Sequence, residues 1–323
     1  MSDDDVNVSR APGARLRMLV PLVMTLIAFG LLAFFIDVPR LLSILGAAQF
    51  GFLPLIALVA ATMIALTTIR INLIFEQISG GRMAVAFLLR LNFFTAIVGY
   101  MVPIAVMADG VRAAVLWAEM KISPSRAVEL SLQDRVIALL GFIFFGAILV
   151  LFQDADAPEY LFTQAVFYWG SLVALFIGTI SISAFHNRVP WPWVVRINEL
   201  VQRLVGNIVR PRYLVRQVIL AAMSVMLYGA MLWLALQALG ITQSPYWALV
   251  AVAPSLSIAQ NIPVFYLGWG SREAVAVVLL TSVGNIDPSQ AVAASLLVGA
   301  GVFLGSLPGL LFFARFARMR RSI

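Results

Sequence analysis

The chain has 323 residues, of which 62% are hydrophobic and 11% charged, with a formal net charge of +7 and no cysteine. A soluble domain is nearer half apolar and a quarter charged, so a polytopic membrane protein is expected, and disulfides, thiolate chemistry and cysteine metal sites are excluded. His186 is the only histidine and Lys121 the only lysine, so a multi-histidine centre is excluded too, and the arginine excess reports membrane topology and anionic headgroups rather than nucleic acid.

Residues 1–17 read as a disordered cytoplasmic tail. Asp3, Asp4 and Asp5 argue against a cleaved signal peptide, as does the lack of a small-residue cleavage site, so the apolar run Met18–Ile36 is expected as the first spanning helix. Further spans are expected at Phe50–Ile69, Val136–Phe152, Leu161–Phe185, Val218–Leu239 and Ala291–Ala314. Two more apolar stretches, Ala84–Leu116 and Trp247–Leu280, are interrupted by glycine and proline. Between the halves, residues 186–216 read as a basic amphipathic segment on the cytoplasmic surface, with Trp191 and Trp193 as interfacial anchors and His186 as a polar residue at a helix end.

Arginine placement orients this set. One side receives Arg10, Arg15 and Arg17, then Arg70, Arg82 and Arg90, then the cluster from Arg188 to Arg216, then Arg315 to Arg321. The other side receives Arg40 with Asp37, and the acidic loop of Asp154, Asp156 and Glu159. Both termini are therefore expected in the cytoplasm, at a bacterial inner membrane. Parity then requires Ala84–Leu116 to enter and return on the cytoplasmic side, and Trp247–Leu280 to enter and return on the outer side. A re-entrant hairpin or two full crossings satisfies parity in each case; the short second arms favour hairpins. The expected fold is all-α: about six spanning helices plus two re-entrant hairpins, in a single integral membrane domain over residues 18–323.

The chain also repeats itself. Ile122-Ser-Pro-Ser-Arg-Ala-Val-Glu-Leu-Ser-Leu132 returns as Ile286-Asp-Pro-Ser-Gln-Ala-Val-Ala-Ala-Ser-Leu296, an offset of 164 (286 − 122). Pro103 with Gly110-Val-Arg112 returns as Pro263 with Gly270-Ser-Arg272, an offset of 160 (263 − 103). Two related halves, about 50–152 and 217–315, follow, and the opposite entry sides make the repeat inverted. In transporter-like folds of this kind the site lies where the halves meet. Ser123 and Asp287 read as helix N-caps, with Pro124 and Pro288 in the first turn.

The candidate substrate-binding residues follow from the repeat. Ala108-Asp-Gly-Val-Arg112 and Gly268-Trp-Gly-Ser-Arg-Glu273 each place a glycine two residues before an arginine that opens an apolar arm. Gly110 and Gly270 permit a sharp turn, Asp109 or Ser271 is positioned to cap the helix, and Arg112 and Arg272 offer planar forks for phosphate. Two such tips entering from opposite faces would form one cradle for an anionic headgroup; alternatively Arg112 pairs with Asp109 and Arg272 with Glu273. Glu129, Asp134 and Arg135 would each cost about 2.5–3.5 kcal/mol at a lipid-facing helix centre. They therefore either protrude into the cytoplasm or line a vestibule in which Arg135 touches headgroups. Arg70 and Arg90 read mainly as cytoplasmic anchors, and Phe93, Phe94, Phe142, Phe144, Phe145, Phe312 and Phe313 as packing or lipid-facing bulk. No nucleotide-binding loop, nucleophile elbow or metal-ligand pattern is present, so neither cofactor nor metal is expected.

Pro103 with Ala108-Asp-Gly-x-Arg112, Ser131-x-x-Asp134-Arg135-Val136, Gly270-Ser-Arg-Glu273 and Leu307-Pro-Gly309 together make the chain resemble the lysylphosphatidylglycerol synthase transmembrane (flippase-like) family over nearly all of residues 18–320. The resemblance implies an integral membrane module with re-entrant helices that moves lipids between leaflets. In the bifunctional relatives a soluble transferase follows this module. None is seen here, so a stand-alone, non-enzymatic member is expected. The first tip has Ala-Asp-Gly where many relatives have a Gly-Glu arrangement. The expected activity is translocation of an anionic or polyprenyl-type envelope lipid. The alternative is a non-transporting scaffold that presents lipid to a separate membrane-associated transferase.

Overall fold

The computed structural model describes residues 13–102, 105–152, 158–185, 211–262, 265–284 and 286–313, together with Glu199, Gln202 and Gly206. The described residues form helices and no strands: α1 (Gly13–Leu32), α2 (Val38–Gly46), α3 (Leu53–Ser79), α4 (Val85–Gly99), α5 (Ala105–Met120), α6 (Pro124–Val150), α7 (Pro158–Phe185), α8 (Pro211–Ala238), α9 (Tyr246–Ala259), α10 (Ser271–Gly284) and α11 (Pro288–Ser306). Short 3-10 turns precede α3, precede α10 and follow α11. Among the described residues four helical segments are long and apolar enough to cross a membrane: Phe50–Ser79, Pro124–Val150, Arg212–Ala238 and Pro288–Phe313. The protein is a multi-pass membrane protein.

Several boundaries differ from the sequence reading. The first helix begins at Gly13, directly after Pro12, so part of the expected tail is helical. The span expected from Val136 instead runs from Pro124, which brings Asp134 and Arg135 into the body of α6. The tail up to residue 12 lies outside the described residues. So does most of the basic segment, with His186 and both interfacial tryptophans, while residues 211–216 open α8.

The same order of lengths occurs twice. Long α3, short α4 and α5, and long α6 are followed, after α7, by long α8, short α9 and α10, and α11. Within each set neighbouring helices pack against one another, and the sets interlock through α3 against α8 and α11 and through α6 against α8 and α9. The caps sit where the repeated motif places them. Ser123 accepts from the Arg126 amide at 3.4 Å, and Asp287 forms a reciprocal box with Gln290. The short helices have 14 to 16 residues, about 21–24 Å at 1.5 Å per residue, less than the ~30 Å of a hydrocarbon core.

Contacts between loops tie each pair of short helices to one region. Arg40 pairs with Asp287 at 3.4 Å, Ser289 donates to the Asp37 carbonyl at 3.3 Å, and the Gln49 amide donates to the Ala238 carbonyl at 2.8 Å. The connections into α9 and out of α10 gather there. Elsewhere, Asn72 clamps Met83 through two hydrogen bonds, and Met83 shares a cluster with Met120, Ile122 and Phe312 around the start of α4 and the end of α5. The inner turns of the two pairs touch: the Tyr266 hydroxyl donates to the Tyr100 carbonyl at 3.0 Å.

The closest interlock uses glycine. Gly301, Gly305 and Gly309 recur every four residues along α11 and its 3-10 extension, so they share a face. A Cβ on Gly301 would meet Ile56, and one on Gly309 would meet the Phe93 carbonyl. A Cβ on Gly305 would lie 2.6 Å from the Ala57 carbonyl oxygen and 3.0 Å from the Ala61 nitrogen. Small residues at this spacing let membrane helices approach backbone to backbone. Because the obstacle is backbone, Gly305→Ala is expected to lower stability by about 1–3 kcal/mol, the overpacking range. Thermal unfolding in detergent reads this, and an unchanged transition would mean that α3 and α11 separate freely.

Candidate functional site

Three helices of the first half bring opposite charges together. Asp134 on α6 is 4% exposed, and its carboxylate accepts from Arg70 Nε on α3 at 2.5 Å and from Arg112 Nη1 on α5 at 3.0 Å. One turn of α5 away from the Asp134 contact, Asp109 accepts from Arg135 Nε at 2.6 Å and lies 4.0 Å from Arg112 Nη1. The network holds three guanidinium groups against two carboxylates, a formal excess of one positive charge. Buried ionisable groups in a membrane span are expensive and face an interior or a wet space, where each needs a partner.

That network forms one wall of a cavity of about 500 Å³. Arg70, Asp109, Arg112, Asp134 and Arg135 line it from α3, α5 and α6. From the second half come Ser224, Tyr228 and Met231 on α8, Ile258 on α9, and the following residues Gln260, Asn261 and Ile262. Met63, Ile64, Phe142 and Val302 supply apolar surface. The Tyr228 hydroxyl donates to Gln260 Oε1 at 3.4 Å, so the neutral wall is itself hydrogen-bonded. The cavity lies between the halves.

The second arginine is arranged differently. Arg272 is 5% exposed and Glu273 fully buried; Glu273 Oε1 accepts from Arg272 Nη2 at 2.6 Å, Arg272 Nε at 3.1 Å and the Ser295 hydroxyl at 3.0 Å. Glu273 Oε2 accepts from the Gly270 amide at 2.6 Å, the side-chain-to-cap half of a capping box, so the start of α10 is closed by its own third residue. The guanidinium lies 5.3 Å from the Trp269 ring centroid and rests on α11 at Gly299, where a Cβ would be 2.5 Å from Nη2.

Of the sequence-derived candidates, the structure gathers Arg112, Asp109, Asp134 and Arg135 at the cavity and leaves Arg272 and Glu273 off its lining. The inner turns meet at Tyr100 and Tyr266, and of the two arginines Arg112 lines this cavity while Arg272 does not. Arg112 pairs mainly with Asp134 rather than Asp109. Gly110 is not at a bend but inside α5, with open space around its Cβ position. Gly270 does turn, at φ +95°, and a Cβ there would meet Ala28 on α1 at 2.6 Å. Neither expected cap forms: Asp109 is mid-helix, and the Ser271 hydroxyl donates to the Ala259 and Gly268 carbonyls.

Sequence reasoning missed Arg70, taken for a surface anchor, together with Tyr228, Gln260 and Gly299. It also placed Phe142 in bulk packing, whereas Phe142 lines the cavity. Had Asp134 been read as buried, a cationic partner from another helix would have followed, though the sequence does not single out Arg70 as that partner. Arg90 is partly buried and does not line the cavity. Among the described residues no group of three or more His, Asp or Glu side chains is placed to hold a metal ion.

The family model for the lysylphosphatidylglycerol synthase TM region matches residues 21–309. The chain belongs to that family. No curated protein and no solved structure matches it. The matched region takes in every helix described from α2 to α11 and the whole cavity lining, so the lysylphosphatidylglycerol synthase TM module and the charged cavity are the same body. Membership places the protein in membrane lipid metabolism or translocation.

Proposed function

We propose that the protein is a lipid translocase that carries an anionic envelope lipid between leaflets, with the headgroup passing through the cavity between its halves. The observation that carries the reading is the lining itself: Arg70, Arg112 and Arg135 against Asp109 and Asp134 set three cations and two anions on one wall of a cavity between the halves. A bidentate guanidinium suits a phosphate ester, and a headgroup of one negative charge would neutralise the wall.

The repeat is read as inverted. Two observations support this. The contacts of Asp287 and Ala238 with residues 37–49 gather the outer ends of α9 and α10, while the Met83 and Ile122 cluster gathers those of α4 and α5. The arms are also too short to cross, which favours two re-entrant hairpins meeting at Tyr100 and Tyr266. On this reading the halves rock about the cavity and expose it to one leaflet, then the other. The protein is a carrier and not a catalyst, sits in a bacterial inner membrane with both termini in the cytoplasm, and takes lipid as its partner.

Proteoliposomes carrying a fluorescent phosphatidylglycerol, with a membrane-impermeant quencher added outside, measure exchange between leaflets. The protein is expected to raise exchange well above empty vesicles, and Arg112→Ala to reduce that gain at least tenfold while the purified variant stays monodisperse. Exchange equal to empty vesicles under imposed proton and sodium gradients, with neutral and anionic probes alike, would overturn the assignment.

A further inference from the structure

The two halves carry equivalent residues that are satisfied in one and open in the other. By the 160-residue offset, Arg112 corresponds to Arg272 and Ala113 to Glu273; by the 164-residue offset, Ser131 corresponds to Ser295. In the second half Glu273 Oε1 sits at the focus of Arg272 Nε at 3.1 Å, Arg272 Nη2 at 2.6 Å and the Ser295 hydroxyl at 3.0 Å, and Arg272 Nε also donates to Ser295 Oγ at 2.9 Å. One carboxylate oxygen thus collects three donors from two helices. In the first half alanine stands where that glutamate would be.

The consequence is visible in two side chains. Arg112 Nε and the Ser131 hydroxyl are both buried, and neither has a hydrogen-bond partner among the described residues. Ser131 is 4% exposed and lies one turn before Asp134, the residue through which Arg112 is tied to α6. An unpaired buried donor costs about 1–3 kcal/mol, so two of them on neighbouring helices are unfavourable unless an acceptor reaches them. Arg112 lines the cavity and Ser131 lies off its lining, so an acceptor reaches the hydroxyl only by passing the Arg112 guanidinium.

We propose that Arg112 Nε and the Ser131 hydroxyl form an oxyanion subsite for a phosphoryl oxygen of the ligand, and that Glu273 Oε1 is its built-in counterpart in the second half. This rests on the reading that the cavity takes an anionic headgroup. It adds a residue, Ser131, that touches the ligand, and it explains why one half keeps an internal acid while the other does not. The site is selective by geometry. A tetrahedral phosphate ester offers a single oxygen to the Nε and hydroxyl donors while its remaining oxygens face Arg70 and Arg135.

The test installs the missing acid. The full chain in nanodiscs is given two probes: phosphatidylglycerol in a phosphatidylcholine bilayer, read by native mass spectrometry, and radiolabelled inorganic phosphate over pure phosphatidylcholine. Wild type is expected to retain one of them, which identifies lipid or free phosphate as the source. Ala113→Glu is expected to reduce that binding at least tenfold, because the new carboxylate takes both donors, while Ala113→Gln reduces it less. Ala113 is buried, so Ala113→Glu has an independent check in Ser131→Ala, expected to weaken binding about fivefold, with Ser131→Thr restoring it. Wild-type binding in both Ser131→Ala and a folded Ala113→Glu overturns the subsite and leaves the cavity reading standing. If Ala113→Glu does not fold, wild-type binding in Ser131→Ala alone overturns it. A wild-type protein that retains neither probe overturns the cavity reading, and the subsite with it.

Discussion

Replacing Glu273 with alanine is expected to be the most damaging single change in the second half. Glu273 is fully buried and, among the described residues, is the only carboxylate paired with Arg272, itself 5% exposed. Removing it strands a guanidinium in the core and opens the start of α10, whose Gly270 amide it also accepts. Breaking a buried pair from one side costs about 3–5 kcal/mol, whereas replacing both partners with apolar side chains of similar volume is often neutral or stabilising. Glu273→Ala should therefore lower the thermal transition in detergent sharply, and Arg272→Met with Glu273→Met should recover most of the loss. Methionine is chosen because its flexible thioether adapts to irregular space such as that beside Gly299, on which the guanidinium rests. A double variant as unstable as the sum of the single ones would show that the pair is not an energetic unit. A Glu273→Ala protein with an unchanged transition would show that water reaches Arg272.

What the sequence made legible was local or periodic. The caps at Ser123 and Asp287 were readable because an N-cap followed by proline is a rule of four residues. The repeat was readable because both helix starts kept it, and the division of each broken stretch into two short helices because glycine and proline interrupt the apolar run. The charged cavity was only half readable. Asp134 and Arg135 pointed to either a cytoplasmic protrusion or a vestibule, and Arg70 lies 64 positions away with no spacing rule to connect it to Asp134. Gly110 and Gly270 sit in the same local pattern, Gly-x-Arg, yet one is inside a helix and the other is a positive-φ turn. Glycine tolerates both conformations, so the pattern alone does not choose. The structure chooses by context, packing Gly270 on Ala28 of α1 while nothing crowds Gly110. The Gly270-x-x-Glu273 spacing carried the information that the second tip closes on itself, since a Glu at the third helical position reaches back to the cap. The Gly301, Gly305 and Gly309 stripe went unread despite its period; its first two members set where α11 meets α3, and Gly309 meets Phe93 of α4.

Substituting Asp134 with asparagine is expected to exchange stability for anion affinity. The carboxylate is one group holding two guanidiniums, Arg70 at 2.5 Å and Arg112 at 3.0 Å. Asparagine keeps one acceptor, loses the charge and turns an amide donor toward a guanidinium donor, so one arginine is left unpaired. The loss should again be about 3–5 kcal/mol. At the same time the wall goes from three cations against two anions to three against one. Arginines no longer claimed by Asp134 become available to an incoming phosphate, which then binds the folded state more tightly than in wild type. Linkage makes this measurable: a ligand at about a hundred times its dissociation constant stabilises the folded state by about 2.7 kcal/mol. Titrating phosphatidylglycerol into detergent-solubilised protein should therefore raise the Asp134→Asn transition more steeply than the wild-type one and return much of the lost stability, whereas phosphatidylcholine should do neither. Equal slopes for the two proteins would mean that Asp134 does not compete with lipid phosphate for Arg70 and Arg112. In that case the carboxylate is a fixed strut between α3, α5 and α6, and the headgroup must find its positive charge at Arg135 alone.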